Sequence, residues 1–172
     1  MLDWKNTGGW TVLVVDDEPD NLEVVATVLS FFGMTVKTAT DGIQGLEQLK
    51  HLTPTLILLD LAMPHMDGWR MFEELRKIPH LQQVPVVALT AHAMIGDEQR
   101  VLAAGFDGYL SKPVNLPTLV QDIEQAIAKK ANGANAQDTP ASVENTPQTP
   151  ASQQVEDVDK PIGDFSVKEI PQ

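Results

Sequence analysis

The sequence predicts an α/β domain in which five strand–helix units wind a parallel sheet, with helices on both faces and right-handed crossovers. Three observations carry this reading. The runs Thr11-Val12-Leu13-Val14-Val15, Leu56-Ile57-Leu58-Leu59 and Val86-Val87-Ala88-Leu89 are apolar, contain β-branched residues and do not alternate with polar ones, as in strands covered on both faces. Segments with apolar residues at helical spacing separate these runs, with short breaks. Near Ala131 the composition shifts to Pro, Thr, Gln, Asn and Ala with few large apolar residues, which predicts a tail outside the core.

The elements follow in order. After the first strand, Pro19 suits the first turn of a helix, Leu22, Val25, Ala26 and Leu29 form its apolar stripe, and Gly33 ends it. A second strand runs near Thr35–Thr38. Asp41 caps a second helix whose stripe is Ile43, Leu46 and Leu49. The third strand ends at Asp60; Pro64 and Gly68 mark a loop, and a third helix runs through Met71, Phe72 and Leu75. A fourth helix, poorer in apolar residues, lies near Ile95–Ala103 and ends at Gly105. Gly108-Tyr109-Leu110 is the fifth strand. The last helix starts near Leu116-Pro117, buries Leu119, Val120, Ile123 and Ile127, and ends at Lys129-Lys130, cations suited to its negative dipole end. The domain is therefore placed at residues 10–131 and an acidic, disordered tail at 132–172. Seven acidic and two basic residues in that tail carry −5 of the net −12. Thr-Pro-Ala-Ser occurs twice there without a structural period, and Ile162–Val167 reads as part of the solvated acidic tail in preference to a short docking motif.

Composition excludes several functions. A net charge of −12 argues against nucleic acid as a direct partner, because that binding begins with a basic surface. No apolar run approaches the roughly 18 residues of a membrane span, and the first ten residues lack the basic start and apolar centre of a signal peptide. The absence of cysteine removes thiolate metal sites and disulfides and fits a cytoplasmic location.

The chemistry lies at the ends of the strands. Asp16-Asp17, Asp60, Thr90 and Lys112 each close or follow an apolar run, and open parallel sheets bind ligands at the carboxyl ends of their strands. One sheet edge thus collects three carboxylates, a hydroxyl and an ammonium. Three carboxylates disfavour one another's ionised forms, and a hard divalent cation such as Mg²⁺, which takes carboxylates together with waters and phosphoryl oxygens, resolves the repulsion. Helix capping by an Asp at a strand–helix turn is the plainer reading of Asp16 or Asp17 alone; the third Asp after a separate strand outweighs it.

The stretches VVDDEPDN (Val14 to Asn21), LILLDLAMPHMDG (Leu56 to Gly68), VVALTAHA (Val86 to Ala93) and GFDGYLSKPV (Gly105 to Val114) resemble the receiver domain of two-component response regulators, the CheY-like family, over residues 10 to 131. The resemblance implies a flavodoxin-like, CheY-like sheet in order 2-1-3-4-5. It implies that Asp60 is the phosphoacceptor, that Asp17 and Asp60 bind Mg²⁺ (or Mn²⁺) directly with Asp16 acting through water, and that Ala62 offers its backbone carbonyl. It further implies that Lys112, before a cis Pro113, and Thr90 contact the phosphoryl group, and that Tyr109 changes rotamer when Thr90 moves. The implied partners are a sensor histidine kinase or phosphotransfer protein and a downstream protein that reads the face of the fourth helix, fifth strand and fifth helix.

Two other functions compete. A nucleotide-binding enzyme of similar topology lacks its signal, because the first strand–helix turn reads Asp-Asp-Glu-Pro-Asp-Asn and neither G-x-G-x-x-G nor G-x-x-x-x-G-K-[ST] occurs. An unphosphorylated docking module is disfavoured by the intact Asp16, Asp17, Asp60, Thr90 and Lys112. The chain reads as a stand-alone regulator, with a receiver fragment of a larger hybrid kinase or regulator as the alternative. His65 and His92 read as loop residues near the site without an orienting partner. Trp4, Trp10 and Trp69 lack basic interleaving and read as packing or partner residues.

Overall fold

In the computed structural model, residues 2–91 and 97–133 are described. They form β1 (Thr11–Val15), α1 (Pro19–Phe31), β2 (Thr35–Ala39), α2 (Gly42–Leu49), β3 (Leu56–Asp60), α3 (Gly68–Arg76), β4 (Val86–Thr90), α4 (Asp97–Ala103), β5 (Gly108–Ser111) and α5 (Leu119–Gly133). The five strands pair in parallel in the order β2-β1-β3-β4-β5, as the resemblance implies.

The unalternated strand sequences follow from two-sided burial. Successive side chains of a strand point to opposite faces. Leu13 and Val15 of β1, Ile57 and Leu59 of β3, and Val86 and Ala88 of β4 join one core with Met71, Phe72, Leu75 and Val101 from α3 and α4. Val12 and Val14, Leu56 and Leu58, and Val87 and Leu89 join a second core with Leu22, Val25 and Leu29 of α1 and Leu119 and Ile123 of α5. Each such side chain, fully buried, contributes about 1.5–3 kcal/mol of transfer free energy, so truncating one in either layer loosens the sheet.

Local signals set the helix ends. Pro19 opens α1, where its missing N–H costs nothing. Gly33, at φ +82°, closes it with Gly33 N–H on the Ser30 carbonyl and Met34 N–H on the Leu29 carbonyl, a Schellman arrangement. Asp41 caps α2 by accepting the Gln44 N–H at 2.8 Å. Gly105, at φ +106°, follows α4.

Several expectations need correction. Ile43 is 55% exposed. α2 meets the core through the expected Leu46 and Leu49 together with Gly42 and Gly45, and a Cβ at Gly45 would lie 2.6 Å from the Met71 methyl. Gly68 begins α3 instead of lying in the loop, and Asp67 is its cap, accepting the Arg70 N–H at 2.8 Å. Leu116–Thr118 forms a 3₁₀ turn before α5, and α5 continues past Lys129 to Gly133. Val120 and Ile127 are half-buried, whereas Ala126 is buried. His92, Ile95 and the tail from residue 134 lie outside the described residues.

Candidate functional site

The sheet register brings the site together. Val15 pairs with Leu59 and Thr90 with Ser111, so Asp16, Asp60, Thr90 and Lys112 fall on one edge of the sheet. Backbone bonds extend the ladder past the strand ends: Asp16 N–H to the Ala39 carbonyl at 3.1 Å, Leu61 N–H to Leu89 at 3.0 Å, and Lys112 N–H to Thr90 at 2.8 Å. Asp16 and Asp60 are each 2% exposed. Asp17 is half-exposed at the mouth.

One carboxylate oxygen from each of Asp16, Asp17 and Asp60 lies within 4.8 Å of the others. The donors are hard oxygens carrying formal negative charge, which fits a divalent cation of the Mg²⁺ class and not a soft metal. The Lys112 ammonium lies 2.7 Å from Asp16 Oδ2 and also donates to Asp60 Oδ2. Burial acts to lower the Lys112 pKa, but its hydrogen bonds to Asp16 and Asp60 outweigh that and hold it above the ordinary lysine value. The Lys112–Pro113 peptide is cis, as the resemblance implies.

Backbone amides orient the two buried carboxylates. Asp60 Oδ1 accepts the Ala62 N–H at 3.0 Å, and Asp16 Oδ1 accepts the Glu18 N–H at 3.0 Å. Asn21 Nδ2 stands 3.5 Å from both Asp16 oxygens and donates to Glu18 Oε2 at 2.8 Å. α3 then returns so closely that a Cβ at Gly68 would lie 2.1 Å from the Asp60 carbonyl oxygen. Ala62 and Ala91, which directly follow β3 and β4 at this edge, are small and exposed.

Thr90 is 7% exposed at the end of β4. Tyr109, half-buried in β5, has its phenol pKa raised chiefly by burial and further by the charges of Asp97 and Glu98 on α4. His65, expected to lack a partner, has one: its Nδ1 faces Asp41 Oδ2 at 3.4 Å. Trp10 is buried with Trp4 edge-on against it at 4.7 Å between centroids. Trp69 meets Phe106 edge-on at 5.5 Å, with the Arg100 guanidinium 4.9 Å over its ring. All three tryptophans therefore pack within the domain.

The fold and the acidic edge are those of a signalling receiver, and residues 12–124 match the response regulator receiver domain family. The chain belongs to that family. It is 43% identical over 104 residues to the signal transduction histidine-protein kinase BarA of Escherichia coli K12, an alignment covering 60% of this chain and 11% of the kinase. It is 40% identical over 112 residues to the sensor histidine kinase RcsC of Salmonella typhimurium, covering 65% of this chain and 12% of that protein. A 14.6 kDa protein from the sodA1 3′ region of Leptolyngbya boryana is 37% identical over 114 residues, covering 66% of this chain and 87% of that protein. The chain thus spans about a tenth of the kinases and most of the small protein. Among solved structures, the chemotaxis response regulator CheY4 of Vibrio cholerae superposes with a TM-score of 0.64 at 29% identity, covering 68% of this chain and 98% of that one. The receiver domain of a histidine kinase from Syntrophus aciditrophicus superposes at 0.61 and 25% identity, covering 78% and 98%. No helix among the described residues is long and apolar enough to cross a membrane.

Proposed function

We propose that this receiver accepts a phosphoryl group on Asp60 from a histidine kinase or phosphotransfer protein and passes the change to a protein partner. The carrying observation is the cluster itself: three carboxylates within 4.8 Å of one another, with the Lys112 ammonium on Asp16 and Asp60. An oxygen of the Asp60 carboxylate attacks phosphorus; the new O–P bond forms as the donor's P–N or P–O bond breaks and the leaving group departs with the electron pair. Such transfers depend on positioning and charge neutralisation more than on covalent help. A divalent cation held by Asp17 and Asp60, with Asp16 through water and the Ala62 carbonyl, would supply part of that neutralisation. Lys112 would supply the rest as a point charge on a phosphoryl oxygen. Thr90 would donate its hydroxyl to the phosphoryl group, a charge-assisted bond.

Output would leave through α4, β5 and α5. Tyr109 lies in β5, the strand paired with the β4 that Thr90 ends, and a groove of about 330 Å³ lined by Glu98, Tyr109, Leu110, Leu119, Asp122 and Lys129 lies on that face. A partner that binds the switched state better shifts the equilibrium toward it. The likeness to the small Leptolyngbya protein favours a stand-alone regulator; the likeness to BarA and RcsC favours a receiver of a larger kinase. We place the working domain at residues 10–131, so a chain ending at Asn132 takes up phosphate at the full-length rate. Incubation with Mg²⁺ and a small acyl phosphate, read by intact mass, tests the reading. One added phosphoryl group, lost with chelator, supports it; no uptake by the wild-type chain refutes it.

A further inference from the structure

The segment that follows Asp60 is joined to the first turn of α2 in a way the phosphoacceptor chemistry does not itself require. His65 adopts φ +63°, a positive value that residues other than glycine seldom hold. A tight turn closes around it, with the Met66 N–H on the Pro64 carbonyl at 2.7 Å. From there His65 Nδ1 reaches Asp41 Oδ2 at 3.4 Å, while Asp41 Oδ1 caps α2. The Met66 carbonyl accepts the Gly42 N–H at 3.2 Å, one of the donors a helix start leaves free. Gly42 allows this approach: a Cβ there would lie 2.7 Å from Met66 Cγ and 2.9 Å from the Met66 carbonyl oxygen.

An exposed His–Asp contact adds little stability, since the His65 side chain is 70% exposed. A non-glycine residue kept at positive φ between a reactive carboxylate and the next helix points to positioning instead. Farther along, Gly68 N–H bonds the Leu61 carbonyl at 3.3 Å and the glycine packs on Asp60. The segment is therefore pinned at both ends, with the Ala62 N–H on Asp60 Oδ1 between the pins.

We infer that His65 and Gly42 are positioning residues: they tie the loop after Asp60 to α2 and so hold the Ala62 amide, and through it the Asp60 carboxylate, in the orientation for attack. This rests on Asp60 being the phosphoacceptor. The test measures the maximal rate of phosphoryl uptake, and the donor concentration giving half of it, with acetyl phosphate and Mg²⁺. His65→Val, whose β-branch resists positive φ, is expected to lose about tenfold in maximal rate with the half-saturating concentration unchanged. His65→Asn, which tolerates the left-handed region and can donate to Asp41, retains the wild-type rate. Gly42→Ala improves the helix propensity of α2 but pushes Met66 away, and loses rate as His65→Val does. Wild-type rates in both His65→Val and Gly42→Ala, or an Asn variant as slow as the Val variant, would overturn the inference. No uptake by the wild-type chain would fail the phosphoacceptor reading itself; uptake by the wild type with no loss in the variants would fail only this inference.

Discussion

Lys112 Nζ lies 2.7 Å from Asp16 Oδ2 while also donating to Asp60, so one cation serves two carboxylates that are almost fully buried. Removing one partner of such a group leaves uncompensated buried charge, which costs more than an exposed pair ever contributes. Lys112→Met is expected to lower the unfolding free energy by about 3 kcal/mol, measured by urea denaturation. Added Mg²⁺ should raise the melting temperature of the variant more than that of the wild type, because the variant lacks the ammonium that offsets the buried carboxylates. The raised Lys112 pKa fixes the pH sign. Its contribution is complete below the ordinary lysine value of about 10.4 and is lost as pH rises through the higher folded value. The stability gap between wild type and Lys112→Met should therefore close at strongly alkaline pH.

Tyr109 is the only tyrosine in the chain, so tyrosinate absorbance reports it alone. Burial first, then Asp97 and Glu98, favour the neutral phenol. The titration midpoint should lie above the ordinary value of about 10. Because the folded pKa is the higher one, the stabilisation is present below the unfolded pKa and lost as pH rises through the folded value. Asp97→Asn with Glu98→Gln should move the midpoint down while leaving it above that of the unfolded chain. An ordinary midpoint in the native wild type would contradict the packing described for β5.

Gly68 begins α3 against the backbone of Asp60, where a Cβ would lie 2.1 Å from the Asp60 carbonyl oxygen. The obstacle is backbone, which cannot rotate away as a side-chain tip can. Gly68→Ala should cost about 2–3 kcal/mol by overpacking, despite alanine's better helix propensity, and should slow phosphoryl uptake by displacing Asp60. Thermal melts and uptake rates on the same preparation check both parts.

The strands and the acidic edge were legible in the sequence because two-sided burial writes itself as unalternated apolar runs, each ending in a polar residue. β1, β3 and β4 are read almost to the residue, and Asp16, Asp17, Asp60 and Lys112 follow from their ends. In α2 the expected Leu46 and Leu49 do meet the core, but Ile43, about 100° round the helix from Gly42, faces solvent, and its place on the inner side is taken by Gly42 and Gly45. A search for apolar spacing counts isoleucine and overlooks glycine. Gly68 reads as loop in the sequence because glycine is a usual turn signal, whereas here it is the first residue of α3, behind the Asp67 cap. Long-range polar contacts left no local trace. Arg76 donates to the carbonyls of Leu81, Gln82 and Val84 and pairs with Asp107 at 2.8 Å, tying the starts of β4 and β5 together at the end of the sheet away from the carboxylates. Nothing in the spacing of Arg76 and Asp107 announces that partnership. His65 and Asp41 met in the same unannounced way.

Asp60, among three neighbouring carboxylates, is the one expected to carry the phosphoryl group. An acyl phosphate is reduced by borohydride to an alcohol, so the modified aspartate becomes homoserine and can be located by peptide sequencing with mass spectrometry. After incubation with Mg²⁺ and acetyl phosphate, then borohydride, homoserine is expected at position 60 alone in the wild type and at no position in Asp60→Asn. Homoserine at position 16 or 17 in the wild type, or undiminished labelling of Asp60→Asn, would contradict the assignment.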